Sequence, residues 1–196
     1  MSKSVYYCAA SLDGFIAESD HGLDWLTKYE GTFEGESAEP MKGSYDHFYE
    51  GIGANVMGSA TYEFVLEHMA GGHMAWPYAD KPTWVLSSRK PTRADGAGDE
   101  LRIVEAKVTD LYDEMIASAG ERDLWVIGGG NVASQFADAG LLDELIITVT
   151  PVVLGDGKPL FDRRLPGGAL RLVGTRTWDS GMVELRYAIK PDQSAG

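Results

Sequence analysis

The chain is poor in cysteine, in basic residues and in long apolar runs, and each shortage excludes a class of protein. Cys8 is the only cysteine in the 196 residues, so no intramolecular disulfide can form and the composition suits a reducing compartment. No apolar run approaches the roughly 20 residues of a membrane-spanning helix, and the amino terminus has no apolar region like that of a signal peptide. We therefore expect a cytoplasmic protein with no membrane partner.

Positive charge is also scarce. The sequence has 17 Lys and Arg against 30 Asp and Glu, which gives a formal net charge of −13 at pH 7. Because nucleic acids and anionic membranes require a basic face, neither is expected as a partner, whereas a small anionic ligand needs only one local basic pocket. The four histidines are scattered in no metal-ligand spacing, so no metal site is predicted; they are His21, His47, His68 and His73.

Short apolar runs alternate with amphipathic segments along most of the chain. Strands are predicted at Val5–Ala10, Asn55–Met57, Thr83–Leu86, Arg102–Glu105, Leu124–Ile127, Leu145–Leu154, Leu170–Thr175 and Val183–Ile189. Helices are predicted at Ser44–Tyr49, Thr61–Met69, Thr109–Ser118 and Val132–Ala139, and a surface loop at Gly31–Gly43. This order predicts an α/β fold with a mostly parallel central sheet, flanking helices and an antiparallel C-terminal hairpin that turns at 179–181. We expect one domain over residues 1–196, because the chain has no repeat and no linker.

The most informative segment is a strand that runs into three glycines and then directly into a helix. Ile127 ends the strand, Gly128, Gly129 and Gly130 follow, and Asn131 and Val132 begin the helix. Glycines let the backbone approach a ligand closely, and a helix start offers free N–H groups to a phosphate. The last glycine of G-x-G-x-x-G is missing, and no Walker loop is present. The segment predicts a phosphate site, and a tight turn without a ligand is the alternative.

Two other predicted strands end in the same way. Gly58 ends one of them and is followed by Ser59 and Thr61, whose hydroxyls suit a helix start. The other ends at Leu86 and is followed by two hydroxyls and two cations, in the order Ser87, Ser88, Arg89 and Lys90. In so acidic a chain these cations favour a bound phosphate, although a capped helix and a solvated loop are the plain alternatives. Together the three strand ends predict one extended ligand with several phosphates.

The order of these motifs resembles dihydrofolate reductases and their relatives, the reductase domains of riboflavin biosynthesis. The resemblance rests on four segments, which are 9–17 (Ala-Ala-Ser-Leu-Asp-Gly-Phe-Ile-Ala), 56–62, 86–88 and 126–136. It extends from residue 5 to about residue 189 and implies a dihydrofolate-reductase-like fold with NADPH as the hydride donor.

The resemblance also assigns the cofactor contacts. It implies that the pyrophosphate is held by Gly58, Ser59, Thr61, Gly128, Gly129, Gly130 and Asn131, with Ile127 and Val132 beside them. The 2′-phosphoribose would lie against Leu86, Ser87, Ser88 and Arg89, and the nicotinamide between Ala10 and Ile16. In this family the first two glycines of the triple are commonly joined by a cis peptide, which here would be Gly128–Gly129.

On the substrate side, the sequence departs from dihydrofolate reductases. Those enzymes carry an acidic residue where counting back from Phe48 places Ser44, and an arginine where Ser59 stands. Ser-Leu-Asp-Gly at 11–14, followed by Asp24-Trp25-Leu26, is closer to the riboflavin-type branch. That branch implies a pterin- or aminopyrimidine-like substrate near Asp13, with Asp46 as the second candidate catalytic carboxylate.

The same branch implies a homodimer formed through the sheet edge. Trp25 and Thr148 are predicted to contact the substrate, although a packed aromatic and an ordinary strand threonine are the plain interpretations. Asp13 as a turn residue and Asp46 as a solvated helix residue are likewise open. A non-catalytic NADP(H)-binding module, a scaffold without ligand and a true dihydrofolate reductase are the alternative functions.

Overall fold

The protein is described by a computed structural model over residues 2–27, 41–70, 76–165 and 167–189, with side chains omitted at 41–44 and 68–70. The strands are β1 (Ser4–Ser11), β2 (Phe15–Ala17), β3 (Ile52–Gly58), β4 (Thr83–Leu86), β5 (Leu101–Val104), β6 (Asp123–Gly128), β7 (Glu144–Thr150), β8 (Lys158–Pro159), β9 (Leu170–Thr177) and β10 (Val183–Ile189). The helices are α1 (Asp24–Thr27), α2 (Met41–Glu50), α3 (Ser59–Ala70), α4 (Val108–Ala119) and α5 (Gly130–Asp138).

Within these ranges one large sheet has the strand order β5-β4-β3-β6-β1-β7-β10-β9. The six strands from β5 to β7 pair in parallel, and β10 and β9 add an antiparallel edge. The connection from β9 to β10 turns at Gly181, whose φ of +86° suits only glycine without strain. The predicted α/β fold, with a mostly parallel sheet and a C-terminal hairpin, is confirmed.

Helices cover both faces of the sheet. Alternate residues of the central strands bury their side chains on opposite faces, so Tyr6 packs with the side chains of α4 and α5, while Tyr7 packs with an aromatic layer on the other face. That layer includes Tyr62 from α3, with Phe48 and Tyr49 from α2 at its margin. The second layer is important for function because it continues into the cleft described below.

Several element boundaries differ from the prediction. The run predicted as one strand to Leu154 ends at Thr150, because Pro151 has no N–H to continue the ladder. The start of α2 at Met41 shortens the predicted loop Gly31–Gly43, of which residues 31–40 lie outside the described structure.

The short elements β2, β8 and α1 were not predicted. β2 and β8 have three and two residues and form a small antiparallel ribbon with each other. Segments this short show no periodicity, and their pairing depends on contacts that are distant in sequence. In the described part of the chain, no helix has the length and apolar character needed to cross a bilayer.

Candidate active site

The three strand ends singled out in the sequence lie side by side. β4, β3 and β6 are parallel neighbours, so their carboxyl ends reach the same edge of the sheet, where α/β proteins bind ligands. The β3–α3 and β6–α5 turns touch: a Cβ atom at Gly128 would lie 3.1 Å from Thr61 Oγ1, and one at Gly58 would lie 3.2 Å from Val132 Cγ2. The amino termini of α3 and α5 therefore adjoin.

The start of α5 is open to a ligand. Gly129 is its N-cap residue and provides no side-chain cap, so the first N–H groups of the helix lack the usual capping oxygen. Gly129 has φ of +87°, and this positive φ makes the sharp turn from β6 into α5. The cis peptide expected between Gly128 and Gly129 is absent, since all described peptide bonds are trans.

A cleft of about 610 Å³ opens at this edge of the sheet. Its walls come from the ends of β1 and β6, the start of α3, the glycine turn and the β2–β8 ribbon. The residues that line it include Tyr7, Cys8, Ile16, Leu26, Tyr45, Thr61, Phe64, Tyr78, Trp125, Ile127, Gly128, Gly129, Gly130, Asn131, Thr148, Lys158, Pro159 and Asp162.

Aromatic side chains form one end of the cleft. The ring of Trp125 meets those of Tyr45 and Tyr78 edge to face, each at a centroid distance of 5.9 Å. The ring of Tyr7 meets Phe48 in the same way at 4.5 Å. Such rings bury flat apolar surface well, so this end suits a planar heterocycle, whereas the glycine end suits a phosphate.

The structure brings eight of the predicted site residues to the cleft wall, namely Ile16, Thr61, Ile127, Gly128, Gly129, Gly130, Asn131 and Thr148. Ala10, predicted to flank the nicotinamide, is instead buried in the core beneath α4 and α5. Trp25 is also buried outside the cleft wall, while its neighbour Leu26 lines the cleft. Gly58 and Val132 pack behind the glycine turn.

The predicted 2′-phosphate residues lie beside the first turns of α3, which Arg89 contacts. The Arg89 guanidinium donates to Ser59 Oγ at 3.2 Å and pairs with the Glu63 carboxylate at 3.0 Å. Ser87 Oγ holds the turn by accepting from the Arg89 N–H at 3.0 Å and donating to the Arg89 carbonyl at 2.9 Å. Ser88 and Lys90 are exposed beside it, and Leu86 ends β4. Glu63 is an acidic neighbour that the sequence did not suggest.

Neither predicted catalytic carboxylate lines the cleft. Asp13 accepts hydrogen bonds from Ser11 Oγ at 2.6 Å and from the backbone N–H groups of Leu154 and Gly155 at 3.1 and 2.7 Å. The bond from Ser11, together with the backbone bonds, lowers the pKa of Asp13 to about 2. Asp46 is exposed on α2, and the side chain of Ser44 lies outside the described structure. The catalytic roles of Asp13 and Asp46 stay predictions, and the visible role of Asp13 is to fasten the loop after β7.

Sequence reasoning missed an acidic and a basic residue of the cleft, Asp162 and Lys158. Asp162 accepts a hydrogen bond from Asn131 Nδ2 at 2.6 Å. Burial acts to raise its pKa, but hydrogen bonds with Ser134 and Asn131 outweigh burial and lower it. Both residues follow β7 in a segment without a local motif, so only the tertiary fold brings them to the glycine turn. Tyr7, also missed, had a usable signal, because it alternates along β1 with residues of the opposite face.

Cys8, the sole cysteine, lies on β1 next to Tyr7. The residue is half-buried and contributes to the cleft wall. Burial raises the pKa of its thiol to about 12, so almost none of it is thiolate at neutral pH.

Comparisons with known proteins agree with this arrangement. A family model described as the RibD C-terminal domain matches residues 4–184. The uncharacterized protein YwjB of Bacillus subtilis (strain 168) is 32% identical, over 94% of this chain and 97% of YwjB. A solved protein of Shewanella sp. PV-4, named as a riboflavin biosynthesis protein, is 28% identical with a TM-score of 0.78, over 96% of this chain and 99% of that one.

The fold is also similar to that of a more distant enzyme. The dihydrofolate reductase of Enterococcus faecalis, solved in complex with NADP(H) and RAB-propyl, has a TM-score of 0.61 at 17% identity. The match covers 96% of each chain. At this identity the likeness shows the shared fold alone.

The first prediction concerns the glycine turn. Gly129→Val adds branched atoms at a positive φ and in front of the uncapped helix start, so we expect nucleotide binding to be lost while the fold survives. Gly140→Val is the matched control, because Gly140 also has a positive φ (+66°) but nothing within 4 Å of a Cβ atom. Titration of each variant with NADPH, followed by fluorescence, checks this. Wild-type affinity in Gly129→Val would show that the turn does not contact the nucleotide.

The second prediction concerns Asp13. Because its pKa is lowered in the folded chain, the carboxylate stabilises the fold above the unfolded-state pKa of about 3.9. This contribution is lost as the pH falls from about 4 towards 2. We expect Asp13→Asn to unfold at lower urea than the wild type at pH 7, and the difference to shrink over that acid range. Asp46→Asn, which removes an exposed carboxylate, is the control. If Asp13→Asn instead keeps full stability but loses turnover, the catalytic role is restored.

Proposed function

Because the chain belongs to the RibD C-terminal domain family, we propose that it is an NADPH-dependent reductase that transfers a hydride to a small pterin- or aminopyrimidine-like heterocycle. One observation carries this proposal: the uncapped start of α5 and an aromatic wall face the same cleft. The two ends of the cleft suit the two parts of such a reaction, a phosphate-bearing cofactor and a flat ring.

The residues at the strand ends fit a nicotinamide dinucleotide. The N–H groups that follow Gly129 and the hydroxyl of Thr61 provide donors for a pyrophosphate, and the missing side-chain cap leaves them available. Ile16, on the β2–β8 ribbon, would lie against the nicotinamide. The cofactor, when bound, supplies the hydride, and the distant dihydrofolate reductase complexed with NADP(H) supports this class of ligand.

Arg89 supports NADPH over NADH. Its guanidinium, held by Ser59 and Glu63, can reach a 2′-phosphate only by sharing or leaving the Glu63 carboxylate, and exposed Lys90 adds a second cation. A charged hydrogen bond to phosphate is stronger than one between neutral groups. The preference for NADPH therefore depends on how well the 2′-phosphate competes with the Glu63 carboxylate for the Arg89 guanidinium.

On the substrate side, the chain's own residues bind and orient the ring. Trp125, Tyr45 and Tyr78 provide flat surfaces against which a heterocycle packs. The β2–β8 ribbon covers the cleft from one side and limits water near the transferred hydride. Asp162 holds Asn131 in place by accepting a hydrogen bond from its Nδ2, and Lys158 lines the cleft from β8.

We also propose that the protein is a cytoplasmic homodimer. The edge strand β9 exposes Leu170, Leu172 and Val173, with 37, 51 and 46% of their surface accessible. An edge strand with apolar side chains is a surface that pairs readily with a second chain. The single cysteine supports a reducing compartment.

A non-catalytic NADP(H)-binding module is the second candidate function. It is favoured by one observation, the absence of both Asp13 and Asp46 from the described cleft wall. Such a module would bind the cofactor without consuming it.

The third prediction tests the reaction. We expect the purified chain to oxidise NADPH in the presence of a ribityl- or ribosyl-aminopyrimidine or an oxidised pterin. We expect little turnover of dihydrofolate, because Ser44 stands where that reaction needs a carboxylate. The loss of NADPH absorbance measures turnover. Brisk dihydrofolate reduction would contradict the assignment to the riboflavin-type branch, and tight NADPH binding without any oxidation would favour the binding module.

The fourth prediction tests the cofactor preference. Arg89→Gln should weaken NADPH about 5- to 30-fold, roughly 1–2 kcal/mol after allowance for solvent exposure, and barely change NADH. Glu63→Gln should strengthen NADPH, because it frees the Arg89 guanidinium. Arg122→Gln is the matched control, because Arg122 is an exposed arginine just before β6, at the end of that strand far from the glycine turn. Fluorescence titrations with both nucleotides measure these affinities, and equal wild-type affinity for NADPH and NADH would refute the preference.

A further inference from the structure

A row of polar side chains crosses an otherwise apolar face of the sheet beside the aromatic end of the cleft. Tyr7 on β1 and Thr148 on β7 both contribute to the cleft wall. Glu184 on β10 lies directly opposite Thr148 in the strand register, and Arg186 donates from Nε to Glu184 Oε1 at 2.8 Å. The row leads from the cleft through three adjacent strands to a partly exposed arginine.

Two members of the row are buried at a cost. The Thr148 side chain is 1% exposed, and its Oγ1 makes no hydrogen bond of standard geometry. A buried hydroxyl that lacks a well-formed hydrogen bond destabilises the fold, and native structures rarely tolerate one without a reason. The Glu184 carboxylate is 2% exposed and forms an ion pair with the Arg186 guanidinium at 2.8 Å. Packing alone would favour apolar side chains at both positions.

Tyr7 and Thr148 lie on the same face of adjacent strands, because the register pairs Tyr7 with Ile146 and Ala9 with Thr148. Burial is the main cause that raises the pKa of Tyr7 to about 12, the charge of Glu184 raises it further, and the neighbouring Thr148 hydroxyl lowers it. Arg186 and Arg176 also act to lower it. Tyr7 is therefore a neutral phenol at physiological pH, which can donate a hydrogen bond and keeps its proton.

We propose that the Tyr7 hydroxyl is the polar anchor for the substrate ring, and that Thr148 is the positioning residue whose hydroxyl completes the hydrogen bonding of Tyr7 when the ring binds. The proposal deepens the proposed function and rests on it, because the ring is the heterocycle that would accept the hydride. It assigns a residue to recognition that neither the motifs nor the resemblance indicated.

The chemistry selects a class of ring. A phenol that stays protonated donates to an acceptor, and its oxygen accepts in turn, so Tyr7 fits a ring edge on which a carbonyl oxygen or ring nitrogen adjoins an N–H. Pteridines and aminopyrimidines present such edges. The aromatic wall beside Tyr7 holds the same ring by its faces, so the anchor determines the rotation of the ring in its plane. The step is binding only, and no proton leaves Tyr7.

The test uses the full chain and two pteridine probes of nearly equal shape, lumazine and 2,4-diaminopteridine, with quenching of tryptophan fluorescence as the readout. We expect Tyr7→Phe to weaken at least one probe about 3- to 12-fold, the range for one neutral hydrogen bond. Thr148→Val should weaken the same probe, and Thr148→Ser, which restores the hydroxyl, should recover most of the affinity. The Tyr7→Phe/Thr148→Val double variant should lose little more than the larger single loss, because the two hydroxyls act together.

Tyr112→Phe is the matched control, since it removes a half-buried tyrosine hydroxyl on α4 away from the cleft. NADPH is titrated in parallel with every variant. Unchanged pteridine affinity in Tyr7→Phe overturns the anchor and leaves the proposed reductase intact. Loss of both pteridine and NADPH binding in Tyr7→Phe also overturns it, because the hydroxyl then supports the fold. A wild-type chain that binds neither probe overturns the anchor together with the substrate class, whereas failure of NADPH alone to bind refutes the proposed function and not the ring site.

Discussion

The parallel pairing of β3 with β6 is the constraint on which the cleft depends. Parallel neighbours end at the same edge of a sheet, and each of these strands leads directly into a helix, α3 and α5. The two turns approach so closely that Gly128 lies against the Thr61 side chain and Gly58 against Val132. Two positive helix ends are thereby held next to each other. An antiparallel pairing would have separated them by the length of a strand.

The β2–β8 ribbon adds the other wall, and it depends on the same turn. A Cβ atom at Gly130 would collide with the carbonyl oxygen of Pro159, so the third glycine admits the ribbon, whereas the second makes the turn with its positive φ. The β8 segment is also tied to the β1–β2 turn by the hydrogen bond from the Leu160 N–H to the Gly14 carbonyl at 2.9 Å. The second and third glycines thus have different structural roles.

The sequence predicted the parts of the molecule that local physics controls. Strand alternation, glycine turns and helix starts placed β3, β4, β6 and the strand ends correctly, and the resemblance ordered them. The sequence did not predict the positions of the residues that only long-range contacts bring to the cleft. Asp162 reaches Asn131 across 31 positions, and Asp13 is engaged by a loop more than 140 residues away. In the sequence, a carboxylate beside a glycine is equally compatible with a turn residue and with a catalytic acid. Only its hydrogen-bond partners in the fold distinguish the two roles.

The half-buried thiol of Cys8 has a practical consequence. It is the sole cysteine of the chain and contributes to the cleft wall, yet the raised pKa leaves it almost unreactive while the cleft keeps its described shape. Alkylating reagents attack the thiolate, so the rate of their slow reaction with this one atom depends on access through the cleft. Occupants of the cleft would slow that rate. The alkylation rate of Cys8 can therefore be used to measure ligand occupancy of the cleft, with no added label.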